Sequence, residues 1–254
     1  MNGIWILLLL ILTAVFPAII VFFWFRVGKP LEGNLVPGGT RRRVPLTLPW
    51  FLASLAAGIL SLFAAAMIQH TFFLPVPAGT AGTESWNGLA PVFFGVFVRI
   101  ALVEEASRFL ILVPLLAILN RRLTVYGSIG AAAGLVAGLG FAALENASYG
   151  MADINITLLR AFTAAPLHGA CGIRVGAAVS SVRQHPLKAL AFFVSAVLIH
   201  GAYNLMIVSP ALPAALAIPT AYIALFASLS FIKDSGSDDE NSINSRLFKM
   251  SREG

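Results

Sequence analysis

An all-α, polytopic membrane bundle of about seven transmembrane helices, with the N-terminus outside and the C-terminus inside, is the fold this sequence predicts, and three observations predict it. Of its 254 residues, 58% are hydrophobic and only 11% charged, against about 25% charged in a soluble domain. Apolar stretches of about 20 residues recur along the chain, and a helix of that length crosses a hydrocarbon core about 30 Å thick. Lysine and arginine are also segregated. Apart from Arg99, Arg108, Arg160 and Arg174, all 17 fall in segments that the layout puts on one side of the membrane, as the positive-inside rule requires. These basic residues sit in short loops rather than along one face, which argues against a nucleic-acid partner. The lone cysteine, Cys171, excludes an intrachain disulfide.

Residues 4–25 form the first span. No Lys or Arg precedes it, whereas Arg26, Lys29 and Arg41-Arg42-Arg43 follow it; a secretory signal has the opposite polarity, so this is a retained helix. Residues 28–49, rich in Gly and Pro, read as a cytoplasmic loop. Residues 49–68 form the second span. Residues 69–90, with Pro75, Pro77, Gly79 and Gly82 and no basic residue, form an external loop. The third span covers 92–119 and ends at Asn120-Arg121-Arg122. Span four, 126–146, carries Gly130, Gly134 and Gly138 at every fourth position, a spacing that lets a neighbouring helix approach closely. After an external turn at 148–157, span five runs over 158–181, broken by Pro166 and loosened by Gly169, Gly172 and Gly176. Those glycines and the proline either let spans four and five part to admit an unwound substrate segment or simply pack the two helices closely. Arg183, His185 and Lys188 mark a cytoplasmic turn, span six covers 189–208, and span seven 212–232. Residues 1–232 thus make one transmembrane domain, and the Ser-, Asn- and Asp-rich residues 233–254 a disordered cytoplasmic tail. So compact a chain suits a bacterial inner membrane.

Ionisable residues inside these spans are the candidates for function, because each costs about 2.5–3.5 kcal/mol at mid-bilayer unless it is paired or used. Glu104 and Glu105 lie about 18 Å along the third span from Pro91. Arg108 shares a helix face with both, but one arginine does not neutralise two carboxylates. Glu145 and Asn146 close span four, His168 follows Pro166 in span five, and His200 and Asn204 lie one turn apart in span six. Taken singly, each has a structural account: a satisfied core histidine, an interhelical amide, a cap, an Arg–Glu pair. Together they put acid, base and amide at similar depths on four spans. His70 and His185 read as solvated, and Cys171 as a small buried residue. No His-Glu-x-x-His zinc helix is present and no Asp lies within a span, so the available chemistry is glutamate with histidine. A carboxylate can take a proton from water attacking a carbonyl, while His or Asn donates to the oxyanion.

The segments Glu104-Glu105-Ala-Ser-Arg108, Phe141-Ala-Ala-Leu-Glu145-Asn146, His168 and His200-Gly-Ala-Tyr-Asn204 occur in that order over roughly residues 92–208. In this they resemble the PrsW-type intramembrane proteases, relatives of the CAAX-processing and bacteriocin-processing membrane endopeptidases. That family has Glu-Glu-x-x-Lys/Arg, Phe-x-x-x-Glu-Asn, a His and His-x-x-x-Asn; Arg108 stands where Lys is common. The resemblance implies a glutamic-type intramembrane peptidase cutting membrane-embedded substrates such as anti-sigma factors, prenylated proteins or leader-bearing peptides. Its site would comprise Glu104, Glu105, Arg108, Glu145, His168, His200 and Asn204. Glu104 would activate water with Glu145 and His168, His200 and Asn204 would stabilise the oxyanion, and Glu105 with Arg108 would orient and balance charge. A metal-free site is the expectation, since the i,i+4 His pair that favours zinc is missing; zinc is the alternative. A proton-coupled transporter and a non-catalytic scaffold of the same fold are the rival functions.

Overall fold

A computed structural model describes residues 16–21, 48–73, 89–122, 127–150, 154–209 and 212–232, and every regular element among them is helical. After α1, of which residues 16–21 are described, come α2 (Leu48–Phe72), α3 (Leu89–Phe93), a π-helical stretch (Phe94–Leu102), α4 (Val103–Arg122), α5 (Gly127–Gly150), α6 (Ile154–Phe162), α7 (Ala164–Ser181) and α8 (Pro186–Val208). A 3₁₀ turn, Ala214–Leu216, leads into α9, residues 217–232. Among the described residues, four helices are long and apolar enough to cross a membrane: Leu48–Phe72, Ile129–Tyr149, Pro186–Val208 and Ala214–Ile232. The chain is a multi-pass membrane bundle. Most of the expected first span, most of the expected loops at 28–49 and 69–90, and all of the tail lie outside the described residues, and α2 runs on to Phe72, past the expected end of span two at 68.

Burial sorts the helices into layers. The most apolar stretch of Ile129–Tyr149 is 89% buried inside the protein, against 33% for Leu48–Phe72, 22% for Pro186–Val208 and 28% for Ala214–Ile232. Helix α5 is therefore the central post, and α7, nearly all of whose residues are buried, is its partner. Leu60, Phe63 and Met67 on α2, Leu187 and Leu198 on α8, and Ile223 and Phe226 on α9 face outward. In water such a surface would aggregate; in lipid it is the expected exterior, since acyl chains solvate it.

The α5–α7 seam is held by backbone contact. A Cβ at Gly134 would lie 1.9 Å from the Gly172 carbonyl oxygen, and one at Gly138 2.0 Å from that of His168. Without side chains there, the helices close to the distance at which only van der Waals packing and weak Cα–H···O contacts remain to hold them. The four-residue glycine spacing does bring a neighbour close, but the outcome differs from a loosened pair of helices. Those glycines form a dense seam.

Three local features depart from the expected layout. Expected span five is divided: α6 ends at Phe162 and α7 starts at Ala164, with Thr163 between them at φ −122°, ψ −62°. Pro166 consequently lies in the first turn of α7, where its missing N–H costs nothing, and it does not kink a helix interior. The Thr163 hydroxyl donates to the Leu159 carbonyl at 3.0 Å and accepts from the Tyr203 hydroxyl at 3.2 Å, tying the break to α8. Helix α5 also runs on to Gly150, past the expected turn at 148. Expected span three contains the nine-residue π stretch immediately before Glu104. A π turn takes in one residue more than an α turn, so the stretch changes which face of α4 the two glutamates occupy.

Candidate active site

Four helices deliver the polar residues to one place. Helix α4 brings Glu104, Glu105 and Arg108, α5 brings Glu145, α7 His168 and α8 His200. Glu105, Arg108, His168 and His200 are fully or almost fully buried. Glu105 forms an i,i+3 ion pair with Arg108, and neither side chain has any solvent exposure. The Arg108 guanidinium also lies 4.7 Å from the centroid of the Phe141 ring, with its Nη2 3.4 Å from His168 Nδ1. The His168 and His200 rings meet edge to face at 5.0 Å.

Each histidine has its own carboxylate, and each of those carboxylates has its own arginine. His200 Nδ1 lies 2.8 Å from Glu105 Oε1. A carboxylate only accepts, so His200 donates Nδ1–H, and in the neutral ring the lone pair is on Nε2, 3.7 Å from Glu104 Oε2. His168 Nε2 lies 2.8 Å from Glu145 Oε2, and the other Glu145 oxygen is 2.8 Å from Arg160 Nη2. Two relays, Arg108–Glu105–His200 and Arg160–Glu145–His168, thus converge from opposite sides. Glu104 stands between them without an arginine of its own. Its Oε2 is buried and has no hydrogen-bond partner among the described residues. Burying an unsatisfied carboxylate oxygen is expensive, so an additional positively charged group is wanted at that point.

A divalent cation fits that requirement. Glu104, His168 and His200 each offer one ligand atom, and these atoms lie within 4.8 Å of one another. Around tetrahedral zinc, nitrogen and oxygen ligands at about 2.0–2.2 Å are separated by about 3.4 Å. Closing the set around an ion takes side-chain shifts of about an ångström. Three protein ligands and an open fourth position are the usual complement of a catalytic zinc. With an ion bound there, Glu105 on His200 and Glu145 on His168 would be the outer partners that orient the imidazoles. The missing i,i+4 histidine pair is replaced by histidines from two different helices, an arrangement that spacing along one helix cannot reveal.

Of the residues expected at the site, Glu104, Glu105, Arg108, Glu145, His168 and His200 are brought together. Asn204 is half-buried one turn after His200 and makes no hydrogen bond to another described residue. Cys171 is a buried thiol donating to the Ala196 carbonyl, and His70 and His185 are exposed. The residue that reading the sequence passed over is Arg160. Besides Glu145 it holds the Asn146 side-chain oxygen, with Nε donating at 3.0 Å, and it stacks 4.1 Å from the Tyr149 ring centroid. Its only signal in the sequence was a cation in an apolar segment, because it lies on a different helix from Glu145 and no helical periodicity links them.

The family model described as PrsW family intramembrane metalloprotease matches residues 47–232, a stretch that contains every residue of this cluster. No curated protein and no solved structure matches the chain.

Proposed function

We propose, from the premise that this chain belongs to the PrsW family of intramembrane metalloproteases, that it is a zinc-dependent endopeptidase hydrolysing peptide bonds of membrane-embedded, single-span substrates. The observation that carries the reading is the convergence of Glu104, His168 and His200, with one oxygen of Glu104 buried and unpartnered. It favours the zinc alternative over the metal-free site expected from the sequence.

Zinc held by Glu104, His168 and His200 would supply Lewis acidity, making water nucleophilic at neutral pH and polarising the scissile carbonyl. Glu105 keeps the His200 Nε2 lone pair turned toward Glu104, and Arg108 keeps Glu105 ionised by pairing with it. Glu145 is the most open of the three carboxylates, at 18% side-chain exposure against 10% for Glu104 and 0% for Glu105. It takes the proton of the attacking water and returns it to the leaving amine. Arg160 holds Glu145 in place during both transfers. Asn204, half-buried beside His200, donates its amide N–H to the developing oxyanion.

The test is metal content measured together with cleavage. Purified protein in nanodiscs is expected to carry one zinc per chain. Phenanthroline treatment removes the zinc and the cleavage of a tagged single-span substrate, and added zinc restores both. Full cleavage by metal-stripped protein would overturn the metal reading and return Glu104 to activating water with Glu145 and His168, without a metal. Zinc without cleavage of any substrate would favour the scaffold instead.

Arg160→Gln separates positioning from ligation. Loss of a group that orients a ligand's partner lowers activity about 10–100-fold, and the expected result is a fall of that size in kcat/KM with zinc content retained. Arg160→Lys recovers only part of it, since one ammonium lacks the planar fork that reaches Glu145 and Asn146 together.

A further inference from the structure

In the C-terminal half of α7 a second cation, Arg174, is half-buried and is held without any carboxylate among the described residues. Arg174 Nε donates to Ser228 Oγ at 3.0 Å, Nη1 donates to Ser195 Oγ at 2.8 Å, and the guanidinium lies 5.0 Å from the Phe231 ring centroid. Both hydroxyls give their own protons to helix carbonyls, Ser228 to Ala224 and Ser195 to Phe192. They therefore present lone pairs to Arg174 but no negative charge. No acidic residue pairs with Arg174 among the described residues. A full positive charge kept in a membrane helix without a counter-ion is costly, and the hydroxyl clamp fixes the guanidinium without neutralising it.

Beside that guanidinium lies a groove of about 270 Å³ lined by Arg174, Ile199, Thr220, Ile223, Ala224 and Ala227. One end is cationic and the remainder almost wholly apolar. Arg174 is seven residues, about 10 Å, from the end of α7 at Ser181, and an arginine at that depth snorkels toward the nearer headgroup layer. The turn at that end exposes Arg183 and Lys188, which draw anionic lipid to the same leaflet. Ile199, Thr220 and Ile223 extend the groove toward the middle of α8 and α9. The polarity of the groove matches an anionic phospholipid, with its phosphate at Arg174 and an acyl chain along the isoleucines.

We propose that the groove between α8 and α9 is a binding site for an anionic phospholipid, anchored by Arg174 and separate from the cluster around Glu104. The lipid bridges the two helices, and through α8 it braces the element that carries His200. The test compares full-length protein in nanodiscs of phosphatidylcholine alone with nanodiscs of equal parts phosphatidylcholine and phosphatidylglycerol. Phosphatidylglycerol is expected to raise the Tm of the unmodified protein and to survive as a bound adduct in native mass spectrometry. Arg174→Gln loses both effects, and Arg174→Lys keeps part of each. Ile223→Trp, which retains the cation and fills the groove, also loses both, so the outcome does not hang on whether the Gln variant folds. Ser195→Ala with Ser228→Ala lowers the Tm equally in the two lipids, because it loosens the clamp and leaves the charge. Equal Tm shifts for unmodified protein and Arg174→Gln would overturn the proposal. So would reproduction of the full shift by soluble glycerol phosphate in phosphatidylcholine discs, which would assign the site to a free phosphate. Zinc content and substrate cleavage do not enter these readouts, so the proposal stands or falls independently of the peptidase reading.

Discussion

Replacing Glu104 with glutamine is expected to abolish peptide-bond hydrolysis, with a loss on the order of a thousandfold or more and an unchanged level of folded protein. The contrast with Glu105→Gln makes the experiment informative, because the two carboxylates are adjacent in sequence and differ only in what surrounds them. Glu105 is spoken for on both sides, by Arg108 and by His200 Nδ1. Glu104 meets only the Nε2 side of His200, at 3.7 Å, and keeps its Oε2 without a hydrogen bond among the described residues. On the proposed zinc reading, amide for carboxylate at Glu104 would remove a charged ligand and the one carboxylate of the cluster without an arginine among the described residues. On the same reading, amide at Glu105 would leave the ligand set intact but weaken the orientation of His200, at a cost of about 10–100-fold in metal affinity. Titrating zinc into both variants discriminates them. Glu105→Gln recovers activity as zinc is raised, and Glu104→Gln does not. Recovery of Glu104→Gln by zinc, or a deeper defect in Glu105→Gln, would exchange their roles.

The second large effect is expected far from any charge. Gly134→Leu should prevent accumulation of folded protein, and Gly134→Ala should destabilise it by about 3 kcal/mol, the upper end of the usual overpacking range. The reason is what the new atoms meet. At Gly134 a Cβ would lie 1.9 Å from the Gly172 carbonyl oxygen, and reciprocally a Cβ at Gly172 would lie 2.1 Å from that of Gly134. Backbone faces backbone there, and relief requires the two helices to separate along their length. Gly169→Ala serves as the comparison: its Cβ would lie 3.1 Å from Leu135 Cδ1, the end of a side chain that can rotate. Thermal unfolding in detergent should rank Gly169→Ala as nearly unchanged and Gly134→Ala as strongly lowered. Gly138→Ala adds a functional readout. Its Cβ would lie 2.0 Å from the carbonyl oxygen of His168, so it should displace that histidine and reduce zinc occupancy in whatever protein remains folded. Similar behaviour of Gly134→Ala and Gly169→Ala would mean that the seam yields, as helices that open for substrate must.

The residues of the buried cluster were legible because a membrane makes them conspicuous. In an apolar interior every Glu, His or Arg is costly, so Glu104, Glu105, Arg108, Glu145, His168 and His200 stand out even where no periodicity relates them. The same logic flagged Arg160 and Arg174 as anomalies but gave neither a partner. The Arg160 contacts with Glu145 and Asn146 join two helices, and the Ser195 and Ser228 hydroxyls that meet Arg174 come from two later ones. The π stretch before Glu104 was hidden for another reason. Nothing in Phe94–Leu102 distinguishes a π turn from an α turn locally, and its register follows from contacts such as Gln69 Nε2 donating to the Arg99 carbonyl at 3.3 Å. Pro166 was misread because proline marks both helix interiors that kink and helix starts, and the break at Thr163 selects the second.

By itself the sequence determined that this is a multi-pass helical membrane protein with a small set of ionisable residues in its interior, because the hydropathy of long segments and the cost of isolated charges are properties of composition and order. The tertiary structure decided that Glu105 is held by both Arg108 and His200 while Glu104 Oε2 has no hydrogen bond among the described residues, and that histidines from two helices flank Glu104. It decided too that glycines spaced for close approach lock the central helices together. Each of these depends on the rotation and separation of helices about their axes, which side-chain contacts between distant segments fix and local pattern does not.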